Sequence, residues 1–181
     1  MATKPKAVIT PRGVAMYPWL TKPDTKFDAA GIYKVSLSLP SGEASTQELT
    51  EKIRDAYTEE FGNKKMAKAN FPFKEDGEGN TVFNFKSRNK PKIYNSKGQL
   101  IANPDSLKIG GGTVAKISFT MSAYDKGSNT GVVLYLNAFQ IIQLAEYTSG
   151  SSSFGDEGDS FTDNPQVNEP VEEELDETKD F

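Results

Sequence analysis

The chain contains no cysteine and no histidine, and it has a single tryptophan, Trp19. Without cysteine there is no disulfide framework, thiol nucleophile or thiolate metal site, and without histidine the commonest general base and zinc ligand are missing. No apolar run approaches the roughly 20 residues that a bilayer crossing needs, and the amino terminus lacks the apolar stretch of a signal peptide. We therefore expect a soluble, intracellular protein that is not an enzyme and holds no metal or other cofactor.

Acidic side chains are in the minority in the body of the chain and are concentrated at its end. Residues 1–150 contain 20 lysines and arginines against 14 aspartates and glutamates, whereas residues 151–181 contain 11 acidic residues and one lysine. The net charge of −4 thus combines a body of +6 with a terminal segment of −10. This asymmetry is typical of proteins in which one half contacts nucleic acid and the other forms an acidic tail.

The terminal segment is rich in serine, glycine and acidic residues and has too little apolar surface to offset the entropy of ordering. We predict one folded domain over residues 1–150 and a disordered acidic tail over residues 151–181. Such a tail has a reach of about 30 Å, which is enough to lie across the domain's own cationic surface. Because it is acidic, it can imitate a strand of phosphates and compete with DNA for that surface. Its candidate partner-binding residues are Glu172, Glu173, Glu174, Asp176, Glu177, Asp180 and Phe181.

Alternation with a period of two dominates the body of the chain and predicts β-strands. It is clearest in residues 31–40, and residues 113–124 repeat it. Residues 131–144 form a third run, and the turn residues 125–129 before it predict a long hairpin. Shorter candidate strands are residues 7–17, residues 81–86, and residues 92–101 folded about a turn at 95–98.

One helix interrupts the strands. Ser45 followed by Glu48 has the spacing of a capping box, apolar residues then recur at helical spacing, and Gly62 is a natural stop. We predict a helix from about residue 46 to 61. About five mostly antiparallel strands with one helix favour a small all-β barrel, with the OB-fold as the leading case and a β-sandwich as the runner-up.

Basic and aromatic residues alternate in several places, as a groove for single-stranded nucleic acid requires, because cations follow the phosphates while rings stack on bases. Residues 83–94 hold the densest cluster, in which Lys86, Arg88, Lys90 and Lys92 are spaced by two and would project from one edge of an extended segment. We expect Phe83 and Phe85, which alternate as core residues do, to be buried. The candidate DNA-binding residues are Tyr17, Trp19, Lys22, Lys34, Lys86, Arg88, Lys90, Lys92, Tyr94 and Lys116.

Some of these residues also have a purely structural interpretation. Trp19 lies near two prolines in an expected loop, where it could fill a gap in the core as well as stack on a base. Lys34 and Lys116 lie on the polar faces of the two best strands and would form a shallow cationic surface if those strands were neighbours. Solvated strand faces also carry lysine, so the pattern alone leaves both interpretations open.

Two further motifs carry no chemistry in our interpretation. The triple glycine at residues 110–112 lacks the GK[ST] ending of a phosphate loop and precedes a strand, which favours a barrel corner or bulge. The body carboxylates that are close enough in sequence to suggest a metal site or an acid/base pair lie in expected turns, where aspartate is common: Asp24, Asp28, Glu75, Asp76 and Glu78. We assign them no catalytic role.

Several segments together resemble the single-stranded DNA-binding proteins of short-tailed, T7-type bacteriophages. They are residues 31–40, residues 81–86, residues 109–112 with the paired strands that follow to residue 144, and the closing pair Asp180-Phe181. The resemblance implies an OB-fold and binding of single-stranded DNA with little sequence preference, in phage replication, recombination and repair. It also implies a tail that contacts the phage DNA polymerase and helicase-primase and often mediates dimerisation, in the cytoplasm of the infected bacterial host.

Other function classes remain open from the residues alone. The acidic tail could itself be the active part of an interaction protein, such as a DNA mimic or chaperone, with the barrel as scaffold. The positive balance of the body disfavours this alternative. RNA binding is also open, because stacking and phosphate contacts serve both polymers.

Overall fold

The computed structural model describes residues 6–63 and 66–145. Their secondary structure is mostly β, with one α-helix and two short 3₁₀ turns. The strands are β1 (Val8–Ile9), β2 (Gly13–Asp24), β3 (Ile32–Pro40), β4 (Ala69–Asn70), β5 (Phe73–Glu75), β6 (Asn80–Ser87), β7 (Lys92–Tyr94), β8 (Val114–Lys126) and β9 (Asn129–Gln143), and the helix is α1 (Ala44–Phe61).

Five of these strands form a closed circuit. β2 pairs antiparallel with β3, β3 with β6, and β8 with both β2 and β9. The circuit closes through a parallel contact between β6 and β9, in which Lys86 is opposite Tyr135. This order, with one parallel pair among antiparallel neighbours, is consistent with the five-stranded Greek-key barrel of the OB-fold. The predicted fold class is confirmed.

The barrel is filled by inward residues of the five strands of the circuit. Leu37, Phe85, Phe119 and Phe139 are buried almost completely, and the rings of Phe85 and Phe119 meet edge to face at 5.2 Å. Phe83 is also fully buried, as predicted. Because inward residues alternate along each strand, the intervening residues necessarily face outwards, where most of the charged side chains lie.

Helix α1 packs on the sheet through a single stripe. Leu49, Ile53 and Tyr57 are spaced by four and are buried, and the Tyr57 hydroxyl lies 3.1 Å from Thr130 Oγ1 on β9. The helix ends at Gly62, as predicted, where a positive φ of 65° favours glycine.

The predicted capping box is wrong. The helix begins at Ala44, its N-cap is Glu43, and no side chain caps it. The chain turns immediately after β3, where the Glu43 N–H donates to the Pro40 carbonyl. Helical geometry therefore starts before Ser45 can act as the cap.

The main strands match the predicted ones closely, and the β8–β9 hairpin is confirmed. The first predicted strand is wrong in its bounds, because the structure divides it into β1 and the start of β2. The expected loop around Trp19 is also wrong: β2 continues through Pro18 and Pro23, with shifts in its register against β3. Within the described residues, no helix is long and apolar enough to cross a membrane.

Candidate nucleic-acid interface

A groove of about 950 Å³ crosses the outer face of the barrel. Its floor is formed by outward residues of β2, β3, β6 and β9, and the segment around Phe71 forms part of its wall. Residues of the β2–β3 loop and of the β8–β9 hairpin also line it. The corresponding strands and loops of OB-folds bind oligonucleotides and oligosaccharides.

One row of side chains runs across the floor of the groove. Strand pairing places Trp19 opposite Lys34, Lys34 opposite Lys86, and Lys86 opposite Tyr135. The row therefore has an aromatic ring at each end and two lysines in the middle. Because residues paired across neighbouring strands point to the same face, all four side chains are presented together on the outside of the barrel.

The groove also collects the exposed aromatic rings. In the described parts of the chain, four aromatic side chains are classed as exposed: Tyr17 at 72%, Trp19 at 41%, Phe27 at 86% and Tyr135 at 45%. All four line the groove. Scattered apolar residues are normal on a protein surface, whereas a cluster in one depression marks a binding site. Flat rings in such a place can stack on planar ligands.

Tyr17 is held in an unusual backbone conformation. Its φ is +51°, and it is the only non-glycine residue of the described ranges with a positive φ. For a bulky residue this conformation costs roughly 1–2 kcal/mol, and such strain occurs preferentially at ligand sites. The strained residue lies in the part of β2 where the register against β3 shifts, between Met16 and Trp19.

A buried carboxylate sits among the lysines of the groove. Asp24 Oδ2 lies 2.6 Å from Lys34 Nζ, and Asp24 Oδ1 accepts a hydrogen bond from the backbone N–H of Lys26 at 3.0 Å. The contact with Lys34, followed by the hydrogen bond from Lys26, lowers the pKa of Asp24 below its usual value. Asp24 therefore stays ionised and holds Lys34 in an ion pair.

The structure brings together only part of the predicted site. Tyr17, Trp19, Lys34 and Lys86 line the groove. Lys22 is exposed on β2 but does not line it.

The expected cationic edge over residues 86–92 is wrong. β6 ends at Ser87, and the chain leaves the extended conformation before it resumes at Lys92. Arg88 Nη2 then lies 3.0 Å from Asp28 Oδ2. Lys90 Nζ lies 2.6 Å from Asp105 Oδ1.

The remaining candidates lie elsewhere on the barrel. Tyr94 and Lys116 line a second, smaller hollow of about 250 Å³, and Lys92 is exposed on β7. The strands of Lys34 and Lys116 are not neighbours, because β3 pairs with β2 and β6 whereas β8 pairs with β1, β2 and β9. The condition for a cationic surface shared by these two lysines is therefore not met.

Sequence reasoning missed several lining residues. Lys26 and Phe27 form a basic-aromatic pair in the β2–β3 loop, with Lys26 Nζ 5.3 Å from the Phe27 ring centre, and this adjacency was a usable signal. Tyr135 lies in a predicted strand that is apolar on both faces, and Lys126 lies in a predicted turn, so neither pattern indicated a binding residue. The tail candidates from Glu172 to Phe181 lie outside the described residues.

Comparison with known proteins gives relatives of one kind. No family model matches the chain. It is 27% identical over 180 residues to the single-stranded DNA-binding protein of Escherichia phage T7, covering 78% of this chain and 77% of the relative. It is 28% identical over 173 residues to the protein of the same name from Enterobacteria phage T3, covering 74% of each.

Solved structures give the same fold. The crystal structure of gp2.5, the single-stranded DNA-binding protein encoded by bacteriophage T7, matches with a TM-score of 0.68 at 23% identity, over 83% of this chain and 98% of that one. The single-stranded DNA-binding protein of bacteriophage Enc34, solved in complex with single-stranded DNA, matches with a TM-score of 0.62 at 16% identity, over 77% and 88% of the two chains. The resemblance found in the sequence is confirmed.

Proposed function

We propose that this chain, which resembles the T7-type phage single-stranded DNA-binding proteins in sequence and fold, itself binds single-stranded DNA with little sequence preference. The observation that carries the proposal is the row Trp19, Lys34, Lys86 and Tyr135, in which rings and cations from four strands share one groove. Its two sequence relatives from phages T7 and T3 are single-stranded DNA-binding proteins, which supports the same function for this chain.

The chemistry of the groove suits an unpaired strand. Base stacking on an aromatic ring contributes about 1–3 kcal/mol and tolerates every base, because each base has a π-face. Lysines attract phosphates without reading sequence. Asp24 is the one carboxylate among the described residues that line the groove, and the lysines among them are Lys26, Lys34, Lys86 and Lys126. A duplex, whose bases are stacked on each other, cannot offer its base faces to Tyr135 or Trp19.

The biological role follows from this binding. The protein coats and protects single-stranded DNA during phage replication and recombination, in the cytoplasm of the infected bacterium. It makes and breaks no bond. As the resemblance implies, it recruits the phage DNA polymerase and helicase-primase through its acidic tail residues, and it forms a homodimer.

Intrinsic fluorescence of Trp19 tests the DNA-binding proposal directly, because it is the only tryptophan of the chain. Titration of the full chain with oligo-dT at several salt concentrations should change the emission saturably. The affinity should fall with salt by about 0.7 log units per log unit of salt for each phosphate contact. Tyr135→Ala should weaken binding by roughly 5- to 150-fold, the loss of one stack.

Tyr33→Ala is the matched control for Tyr135→Ala, since Tyr33 is a half-buried tyrosine that lines neither the groove nor the second hollow. Tyr33→Ala should bind oligo-dT like the parent chain. If the parent chain gives no change with oligo-dT in dilute buffer, the proposal fails and an interaction protein with a scaffold barrel becomes the better interpretation.

Deleting residues 151–181 tests the role of the tail. We expect the shortened chain to bind oligo-dT more tightly, because a competing polyanion of net charge −10 is removed. Binding of the polymerase and helicase-primase should be lost. Unchanged or weaker oligo-dT affinity would contradict the competition.

A further inference from the structure

The second hollow lies on the same outer face of the barrel as the groove. Its lining includes Tyr94, Lys116, Gln140, Ile9 and Gly98. We propose that a distal patch, formed by Lys92, Tyr94 and Lys116, binds the continuation of the DNA strand that occupies the groove. This inference rests on the proposed function and extends it to a second contact region.

Strand pairing makes the face continuous from the groove to the distal patch. β9 is the shared strand, with β6 and β7 on one side and β8 on the other. Tyr135 of the groove is paired with Lys86 and Thr120. Further along β9, Ala138 is paired with Lys92, and Gln140 with Tyr94 and Lys116.

A bulge keeps these residues on the same side. Between Tyr135 and Ala138 the register of β9 against β8 shifts, so that Asn137 has no partner of its own. Without the extra residue, strict alternation would place Ala138 and Gln140 on the face opposite Tyr135. With it, Leu136 and Phe139 are buried, while Tyr135, Ala138 and Gln140 share the outer face.

The chemistry of the distal patch repeats that of the groove in reduced form. Tyr94 offers a half-buried ring, and Lys92 and Lys116 offer cations. None of the hollow's lining residues in the described part of the chain is acidic. Among residues 6–63 and 66–145, no carboxylate lies within 4.0 Å of either lysine, in contrast to Lys34 with Asp24.

Gln140 fixes the loop that borders the patch. Its Nε2 donates to the backbone carbonyls of Asn95 and Ser96, each at 3.2 Å. These bonds tie the turn after Tyr94 to β9. The ring of Tyr94 is therefore held on a strand that is anchored at both its sheet pairing and its following turn.

The separation fits one continuous strand of DNA. Thr120, beside the groove, and Lys116 are four positions apart on β8, a distance of about 13 Å at roughly 3.3 Å per residue. A stacked strand rises about 3.4 Å per nucleotide, so about four nucleotides cover the gap. A site that includes both regions remains within the roughly 4–16 nucleotides known for single OB-folds.

Oligonucleotide length separates the two regions experimentally. In the full chain, Lys92→Gln combined with Lys116→Gln should leave the affinity for dT5 within about twofold. For dT15, the double variant should reduce the slope of log affinity against log salt by about 1.4, because two phosphate contacts of about 0.7 each are lost. Its loss of affinity relative to the parent chain should therefore be about 25-fold larger at 0.1 M salt than at 1 M salt. Lys52→Gln with Lys74→Gln, two exposed lysines that line neither region, is the matched control.

Chemical protection gives a second readout that does not depend on variants. Lysine acetylation of the parent chain, followed by mass spectrometry, should show Lys86 protected by both dT5 and dT15. Lys92 and Lys116 should be protected by dT15 alone.

Three outcomes would overturn the inference. Unchanged dT15 affinity in the double variant would show that the distal patch does not bind DNA, and equal losses for both lengths would show that it is not a separate region. Failure of the parent chain to bind either oligonucleotide would instead overturn the proposed function, and the inference with it.

Discussion

Replacing Asp24 by asparagine tests how the charges of the groove are balanced. Asp24 is buried, and its carboxylate holds the Lys34 ammonium at 2.6 Å. A phosphate that approaches Lys34 must therefore compete with a carboxylate that is already in place. The amide of asparagine keeps an oxygen that can accept the hydrogen bond from the Lys26 N–H, so the loop geometry is retained while the charge is removed.

The expected effect is a stronger dependence of DNA binding on salt. Release of Lys34 adds about one phosphate contact, which raises the slope of log affinity against log salt by about 0.7. Between 50 and 200 mM salt this corresponds to an additional loss of about 2.6-fold in affinity, on top of the parent's own decrease. At low salt the variant should bind oligo-dT more tightly than the parent.

The assay is fluorescence titration with oligo-dT at four or more salt concentrations. Asp28→Asn is the matched control, because Asp28 also pairs with a cation, Arg88, but does not line the groove. In a background of Lys34→Gln, Asp24→Asn should leave the slope unchanged. An unchanged or smaller slope for Asp24→Asn alone would refute the reasoning.

Three further predictions concern stability. Tyr17→Gly should weaken oligo-dT binding yet raise the free energy of unfolding by about 0.5–1 kcal/mol, since relief of the positive φ exceeds the entropy cost of glycine; a loss of stability in denaturant titration would contradict this. Gly131→Ala should lower the free energy of unfolding by about 1–3 kcal/mol, because the new Cβ would collide with the Asn70 carbonyl oxygen. Gly111→Ala, with open space around it, should be nearly neutral in the same denaturant titration. The pKa of Asp76 is lowered, mainly because the Glu78 N–H donates a hydrogen bond to its carboxylate. The stability that this carboxylate contributes should be present above its unfolded-state pKa and be lost as the pH falls through its folded-state pKa. Thermal unfolding between pH 7 and 3 should therefore show a smaller acid-dependent loss of stability in Asp76→Asn than in the parent chain.

The sequence determined most of the secondary structure and the class of fold. Alternation gave the strands because burial on one face of a sheet selects every second residue, and spacing by four gave the buried stripe of α1. Gly62 ended the helix because it alone tolerates the required φ at low cost. The opposite charges of body and tail were likewise readable without coordinates.

Only the tertiary structure decided which outward residues meet. Trp19, Lys34, Lys86 and Tyr135 are far apart in the chain, and alternation says which way each points but not which strands become neighbours. The same limit explains the error at residues 86–92, where equal spacing suggested one cationic edge but the strand ends at Ser87. Closing of the barrel selects the neighbouring strands, and the bulge at Asn137 of β9 then determines which residues share the outer face.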